Sequence, residues 1–469
     1  MSAARALIGA ALGCVLTGCV AGPDYTRPDT TPPALPGAFA EGAPEPRSEP
    51  ALEAWWTGFD DPALTALVNA GVEDNRDVVA ALAQLEAAEA RINAARAGLF
   101  PEIDGEGAVE AGTGPGFEDG DVSASGALLM AFTPDLFGRQ RRAIVAARAD
   151  ARAEAGLAAD ARRLTAAAIA GQYVALARAE ARFELLETSL DLQRQTLRIV
   201  EQRFEAGLSA DLDVRRAEAD LARTEAQRGT LTIARARAIN SLAVLTGRSR
   251  AGWDAPAPEA IPRFQPGVAA GAPAALLRRR PDVRAAERRL EADLARVGVA
   301  RARLYPQLSL PGSITADLDP GAFSDTVSAQ IAAVVDIPLF DAGARRADLT
   351  AAEAEARAAL ADYEQAVFLA VADVETALAR IAAIKARRED LARAVTASER
   401  AFDQLDALYR EGLATFIDIL DAQRTLIGSR EAALEADAAL AQAVIDLHAA
   451  LGGGFATRGG AGRTPASTR

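Results

Sequence analysis

Side chains able to do chemistry are unevenly supplied in this chain of 469 residues. There is one histidine, His448, and there are two cysteines, Cys14 and Cys19. A zinc-type centre needs several His or Cys ligands, and a Cys–His nucleophile needs its base, so the composition argues against both. No nucleophile–base set, phosphate loop or metal-ligand spacing appears. Asp and Glu number 65 against 51 Lys and Arg, a formal net charge of -14. Nucleic-acid binding needs a basic face, which this balance does not supply. What remains is carboxylate electrostatics. Asp418 and Asp421 stand three apart at the expected start of a helix, hence on one face. A helix N-terminus favours carboxylates anyway, so plain helix-start chemistry accounts for them too. The chain does not read as an enzyme, and it asks for no cofactor.

The first residues read as an address. Arg5 precedes an apolar run from Leu7 to Leu16. A spanning helix needs roughly 20 residues, so this run suits a signal-peptide core instead. It ends in Leu16-Thr17-Gly18-Cys19, which resembles a bacterial lipobox, with Cys19 as the acylated residue. Cleavage there removes Cys14 and leaves no second thiol for an intrachain disulfide. Val20 and Ala21 follow where many retained lipoproteins carry Asp, which favours the outer membrane. Elsewhere charge interrupts every apolar run, so a membrane crossing would have to be a closed β-barrel.

The elements that position these residues are written twice. Ala95 to Pro101 recurs as Ala300 to Pro306, and Ala206 to Val214 recurs as Glu411 to Ile419. The offset is constant: 305 − 100 = 205 and 412 − 207 = 205. Each copy reads helix, two strands, long helix, short turn, helix. Leu176, Phe183, Leu186, Leu190, Leu197, Val200 and Phe204 keep a 3–4 rhythm with no proline over 139 to 206. A helix of that length extends roughly 100 Å. Its apolar seam needs partner helices, supplied by Asp211 to Gly247 and Phe416 to Leu451 through the Gly207 and Gly412 turns.

Between the helices the period drops to two. Ile103, Gly105, Gly107 and Val109 alternate with Asp104, Glu106, Ala108 and Glu110. Leu308 to Ala316 and Val327 to Ile337 alternate in the same way. Such strands fit a lipid-facing exterior and a wet lumen, and the same alternation also permits a half-buried soluble sandwich. Glu102, Asp104, Glu106 and Glu110 would line that lumen, or simply be solvated. Four strands cannot close around a lumen, which takes about eight, so copies of the chain must share one barrel.

The residues Cys19, Gly22-Pro23-Asp24-Tyr25, Arg27-Pro28, Trp55-Trp56, Phe59, Asp61-Pro62 and Leu64 resemble the opening of TolC-superfamily outer membrane factor lipoproteins. Leu276 to Glu287, Asp421-Ala422-Gln423-Arg424 and Ala450 to Gly454 match the mid-chain and C-terminal motifs of its NodT-type branch, which serves resistance–nodulation–division (RND) efflux pumps. The resemblance implies a mostly α fold with a small β part: a tandem-duplicated helix, β-hairpin and long helical hairpin. It implies a homotrimer with a 12-stranded outer-membrane β-barrel continued by a long periplasmic α-barrel. Its partners would be a periplasmic adaptor (membrane fusion protein), an inner-membrane RND transporter and outer membrane lipid. The expected division is a signal peptide over 1–18 and a lipidated, extended leader over 19–60. A first repeat spans 61–247, with strands at 102–112 and 122–133 and a helical hairpin at 139–247. A linker or equatorial region covers 248–275. A second repeat spans 276–452, with strands at 307–317 and 326–337 and a hairpin at 341–452, before a disordered tail at 453–469.

The resemblance also assigns sites. Asp418 and Asp421 would ring the tunnel's constriction, where close like charges should raise some carboxylate pKa values. Asp213 and Tyr409 match positions that tie neighbouring helices shut, and Tyr409 is also an ordinary seam residue four after Leu405. The family's basic partner is here Ala414, with Arg410 or Arg424 as substitutes. Gly207, Leu208 and Ser209, with Gly412, Leu413, Ala414 and Thr415, form turn tips that would dock the adaptor, or serve only as helix caps. His448 reads as a packed or surface residue. Two other readings remain: a type I protein-secretion duct, and a non-channel periplasmic coiled-coil lipoprotein.

Overall fold

The computed structural model describes residues 25–26, 53–114, 117–265, 279–318 and 326–454. The signal peptide, Cys19, the residues to Pro23-Asp24, Arg27-Pro28, Leu276 to Arg278 and the tail beyond Gly454 lie outside the described residues. The described parts of 83–156 and 283–366 form one compact unit, and those of 33–82, 157–282 and 367–469 form another.

The helices are α1 (Pro62–Asp74), α2 (Arg76–Ala97), α3 (Arg139–Glu205), α4 (Asp211–Leu245), α5 (Pro281–Ala302), α6 (Ala344–Arg410) and α7 (Phe416–Ala450). The duplication holds to the residue, since 281 − 76, 344 − 139 and 416 − 211 all equal 205. Long runs of alanine with arginine and glutamate give α3 and α6 their propensity, and neither contains proline. Each ends where a glycine takes positive φ, at Gly207 and Gly412.

In the first unit, β1 (Glu102–Gly114), β2 (Phe117–Ala131), β4 (Gly312–Leu318) and β5 (Thr326–Ile331) form an antiparallel sheet ordered β1-β2-β4-β5. Two short strands, β3 (Gln307–Ser309) and β6 (Val334–Asp336), pair separately. The expected strands 307–317 and 326–337 are therefore each broken. Pro311 has no N–H to donate, and its carbonyl instead accepts from Ala332 N at 2.9 Å. Register survives the break: 307 + 336 and 312 + 331 both equal 643. Around the sheet's foot, Gln140 of α3 donates to the Ala95 carbonyl of α2 at 2.6 Å. Arg296 of α5 meets Asp150 of α3 at 2.6 Å, and Arg301 of α5 lies 3.5 Å from Glu353 of α6. The four helices thus touch in the sequence α2, α3, α5, α6.

The second unit holds the largest core, where Leu176, Ile169, Leu242, Val374, Ile445 and Leu447 pack together. The leader is not extended throughout. Trp55–Phe59 is a 3-10 helix whose Trp55, Trp56 and Phe59 are buried in this core. Three large aromatic side chains in five residues have too much apolar area to remain in water. Asp61 then caps α1, accepting from Ala63 N and Leu64 N, and its other oxygen accepts from the Tyr173 hydroxyl at 2.8 Å. Part of the 248–275 segment is likewise packed: Gln265 N donates to Gly58 O, and Phe264 meets Phe59 edge-on at 5.2 Å between ring centres. His448 is buried and stacks on Trp55 at 5.3 Å. The first helix of the second repeat, α5, starts at Pro281, a residue suited to a first turn because that turn's N–H groups lack partners.

Candidate functional site: the sheet faces and the hairpin turns

The pairing register sorts the sheet's side chains. On one face lie Ile103, Gly105, Gly107 and Val109, then Ala124, Gly126, Leu128 and Met130, then Gly312, Ile314 and Ala316, then Val327, Ala329 and Ile331. Every one is small or apolar, and Ile103, Val109, Leu128, Ile314, Val327 and Ile331 are exposed. The other face carries Glu102, Asp104, Glu106, Glu110, Ser125, Ser313, Thr315, Ser328 and Gln330 beside a few apolar residues. The Thr315 and Ser328 hydroxyls bond there at 2.7 Å. Water would not order an apolar face of this kind, whereas lipid would.

At the far ends of the helical hairpins, both turns are Schellman caps. Gly207 N bonds Phe204 O and Leu208 N bonds Arg203 O, while Gly412 N bonds Tyr409 O and Leu413 N bonds Leu408 O. The cap usually covers its next apolar residue, yet Leu208 is 67% exposed and Leu413 is 74% exposed. Gly207, Leu208 and Gly412, Leu413 therefore present bare leucines at two tips, with Ser209 and Ala414 half-buried behind them.

The acidic residues of the turns are helix-start groups within one chain. Thr415 is the N-cap of α7, and Asp418 completes a capping box by accepting from Thr415 N at 3.0 Å. The Thr415 hydroxyl and then its N–H hold the exposed Asp418 carboxyl below its usual range. Both lowering causes lie in the capping box of one chain, whereas the rise expected of ringed carboxylates concerns acids of neighbouring subunits. Asp421 is exposed near it. Asp213 accepts from Ser209 Oγ at 3.3 Å and sits 3.8 Å from Arg216.

Asp213 and Tyr409 make no hydrogen bond to each other; the buried Tyr409 hydroxyl lies beside the Ser209 hydroxyl, which itself donates to Asp213. Burial pushes this phenol above its ordinary value, Arg203 and the Ser209 hydroxyl oppose the rise, and Asp213 adds to it. Arg203 is the base that the sequence left unnoticed. Its guanidinium carbon lies 4.9 Å over the Tyr409 ring, and Nη1 donates to Tyr409 O at 2.8 Å. The last turn of α3 thereby braces the last turn of α6. An arginine four residues before a capping glycine is the signal that pointed there.

Neither substitute base joins Tyr409. Arg410 pairs with Asp406 on its own helix at 2.9 Å. Arg424 instead reaches Asp220 of α4, with Nη2 at 2.6 Å and Nε at 2.9 Å from one oxygen. The other Asp220 oxygen accepts from Gln193 of α3 at 3.0 Å. Gln423 donates to the Thr196 hydroxyl at 3.3 Å, so the Asp421 to Arg424 motif ties α7 to both helices of the first hairpin. Asp220 was legible as an oddity, a carboxylate on the buried face between Ala217 and Thr224, where an unpaired charge is costly.

A sheet with one lipid-suited face, joined to paired long helices ending in acidic turns, defines a membrane-embedded channel protein rather than a soluble coiled coil. A family model described as outer membrane efflux protein matches residues 67–248 and 272–453, and the chain belongs to that family of TolC-superfamily outer membrane factors. It is similar to nodulation protein T of Rhizobium leguminosarum bv. viciae, 30% identical over 98% of this chain and 96% of the relative. It is similar also to the solvent efflux pump outer membrane protein SrpC of Pseudomonas putida, 32% identical over 94% of this chain and 96% of that one. Among solved structures, the outer-membrane channel OprN superposes with a TM-score of 0.82 at 32% identity, covering 93% of this chain and 99% of that one.

Proposed function

We propose that this chain is one subunit of the outer-membrane exit duct of a tripartite efflux system. The observation that carries the reading is the sheet: one face wholly small or apolar, the other rich in acids and hydroxyls, with β1 and β5 left as open edges. A single chain cannot close it. Three copies supply 3 × 4 = 12 strands, enough for a barrel with an aqueous lumen. The long hairpins then continue the conduit into the periplasm, Cys19 carries the lipid anchor, and small substrates pass without chemistry.

The periplasmic adaptor docks on the tips around Leu208 and Leu413, and an RND transporter in the inner membrane drives substrate to it. Asp418 and Asp421 contribute 3 × 2 = 6 carboxylates to the constriction, which favours cations. The Arg203–Tyr409 contact and the Arg424–Asp220 pair hold the hairpins together in the closed state, with Asp213 beside the first. Bilayer recording of the purified, lipidated protein beside its Asp418→Ala/Asp421→Ala variant tests this. The wild type gives a small, cation-selective conductance that rises or loses selectivity in the variant. A confirmed trimer with unchanged selectivity would move the gate elsewhere, and a monomer without conductance would end the channel reading.

A further inference from the structure

Tyr25 is half-buried, and its hydroxyl donates to Glu287 Oε1 of α5 at 3.1 Å. Glu287 is 2% exposed, and a carboxylate so far from water needs donors around it. Arg288 Nη2 reaches the same oxygen at 3.4 Å, while its Nη1 holds Glu291 at 2.6 Å. The other Glu291 oxygen accepts from Arg152 of α3 at 3.3 Å. The phenol thus closes one end of a polar chain that joins the leader to two helices. Burial, and then the Glu287 carboxylate, push the Tyr25 hydroxyl above its ordinary value, so it keeps the proton it donates.

Chain length gives this contact its meaning. Tyr25 stands six residues after Cys19 and thirty before Trp55, where the leader next enters a core among the described residues. Six extended residues reach roughly 21 Å, whereas the thirty-six from Cys19 to Trp55 reach more than about 100 Å. Held only at Trp55, Cys19 would be on a long, loose lead; held at Tyr25, it is on a short one.

The height to be covered is set by α5. Fifteen residues separate Glu287 from Ala302, the end of that helix, a rise of roughly 22 Å. Beyond it the sheet begins at Gln307, and with it the part of the chain suited to lipid. The two lengths agree to within the reach of one side chain. A helical lead of six residues would rise only about 9 Å.

We propose that Tyr25 is a clamp, fixing the leader on α5 so that residues 20–24 climb extended beside the helix and deliver the acylated Cys19, without slack, to the membrane face at the foot of the sheet. Lipid and barrel then enter the membrane at one height. Tyr25 is a positioning residue, acting through the lead it shortens. This rests on the outer-membrane duct with a lipid on Cys19, and adds the contact that couples the two.

The test is chymotrypsin cleavage after residue 25 of the full, lipidated protein in liposomes, read by mass as a new N-terminus at Thr26. A protease needs its site free, so the clamped wild type is cut slowly. Tyr25→Phe keeps a cleavable aromatic and loses the hydroxyl. It is cut about tenfold faster, the factor that one hydrogen bond to a charged group supports. Length is tested separately. Removing Ala21 to Asp24 leaves Val20 after Cys19 and a lead of two residues, roughly 7 Å, too short for the climb. Tyr25 is then pulled free and cut as fast as the Phe variant. Exporting the same shortened chain with Cys19→Ser behind an ordinary signal peptide removes the lipid and restores protection. Wild type cut as fast as Tyr25→Phe would overturn the clamp. A shortened, acylated chain that stays protected would overturn the taut lead. Cys19 of unmodified mass, or a monomer by native mass, would instead overturn the lipidated duct itself, and the tether with it.

Discussion

At the start of α2, Asn75 is buried and accepts from Asp77 N and Val78 N, while its amide nitrogen donates to Leu245 O at 3.0 Å. At the equivalent start of α5, 205 residues on, Arg280 is buried and binds Asp282, then Asp373 at 2.8 Å, with Ala450 O at 3.5 Å. Leu245 and Ala450 are the last residues of α4 and α7, so both side chains serve an orphan carbonyl at a helix C-terminus. The first copy uses one neutral amide with three bonds. The second uses a charged cluster, joined by Arg163, which donates to Ala449 O at 2.8 Å and pairs with Asp160. Geometry survived the duplication at this junction while its chemistry diverged. The turn tips, by contrast, stayed alike, each a glycine cap followed by a bare leucine.

That contrast can be broken in order of effect. At the matched tips, Leu208→Asp with Leu413→Asp abolishes export while the trimer remains folded by native mass. Normal export from the double variant would sink the docking assignment. At the divergent junction, Arg280→Ala removes the bidentate partner of Asp282, the contact to Asp373 and the bond to the end of α7, costing about 3 kcal/mol. Asn75→Ala costs about 1–2 kcal/mol, because only neutral bonds and a cap are lost. Thermal unfolding of the two variants in detergent should rank them so, and an equal cost would show that the charges at Arg280 add nothing. Arg280→Asn, which borrows the first copy's solution, should recover only part of the loss.

The smallest effect is in pH dependence. Burial raises the Asp160 carboxyl above its ordinary 3.8, against the pull of Arg163. The folded state therefore binds this proton more tightly than the unfolded chain does. Its contribution is greatest below about pH 4 and is lost as pH rises through the folded value. Asp418 has the opposite sign: its lowered value makes its contribution full above about pH 4 and lost as acid protonates it. Unfolding curves for Asp160→Asn and Asp418→Asn across that range should shift in opposite senses relative to wild type.

Much of the fold was legible because it depends on local period. A 3–4 rhythm without proline gave α3 and α6, alternation gave the sheet's two faces, and a constant offset revealed the repeat. Pro311 was visible too, but the effect of its missing N–H on β3 and β4 depended on which strand lay beside it. Trp55 and Trp56 read in sequence as part of a leader, because nothing near them announces the core to which α1, α3, α4, α6 and α7 all contribute.

The candidate site was legible only in part. Asp418, Asp421, Tyr409, Leu208 and Leu413 stand near glycine turns, so chain position brought them forward. Arg203 and Asp220 carry a local signal, one before a capping glycine and one on a buried face, but their partners, like that of Gln193, lie across a helix pair and are not written near them. Arg424 chose Asp220 over Tyr409, a choice that spacing along α7 does not contain.

By itself, then, the sequence determined what repeats along the chain: element lengths, helix seams, strand faces and the 205-residue offset that makes one half a template for the other. Only the tertiary structure decided what each arginine meets: Arg203 the Tyr409 ring, Arg424 the Asp220 carboxylate and Arg280 the Asp373 carboxylate. Period is a property of neighbours along the backbone, whereas an ion pair between distant residues exists only once packed helices have brought its two ends within a few ångströms.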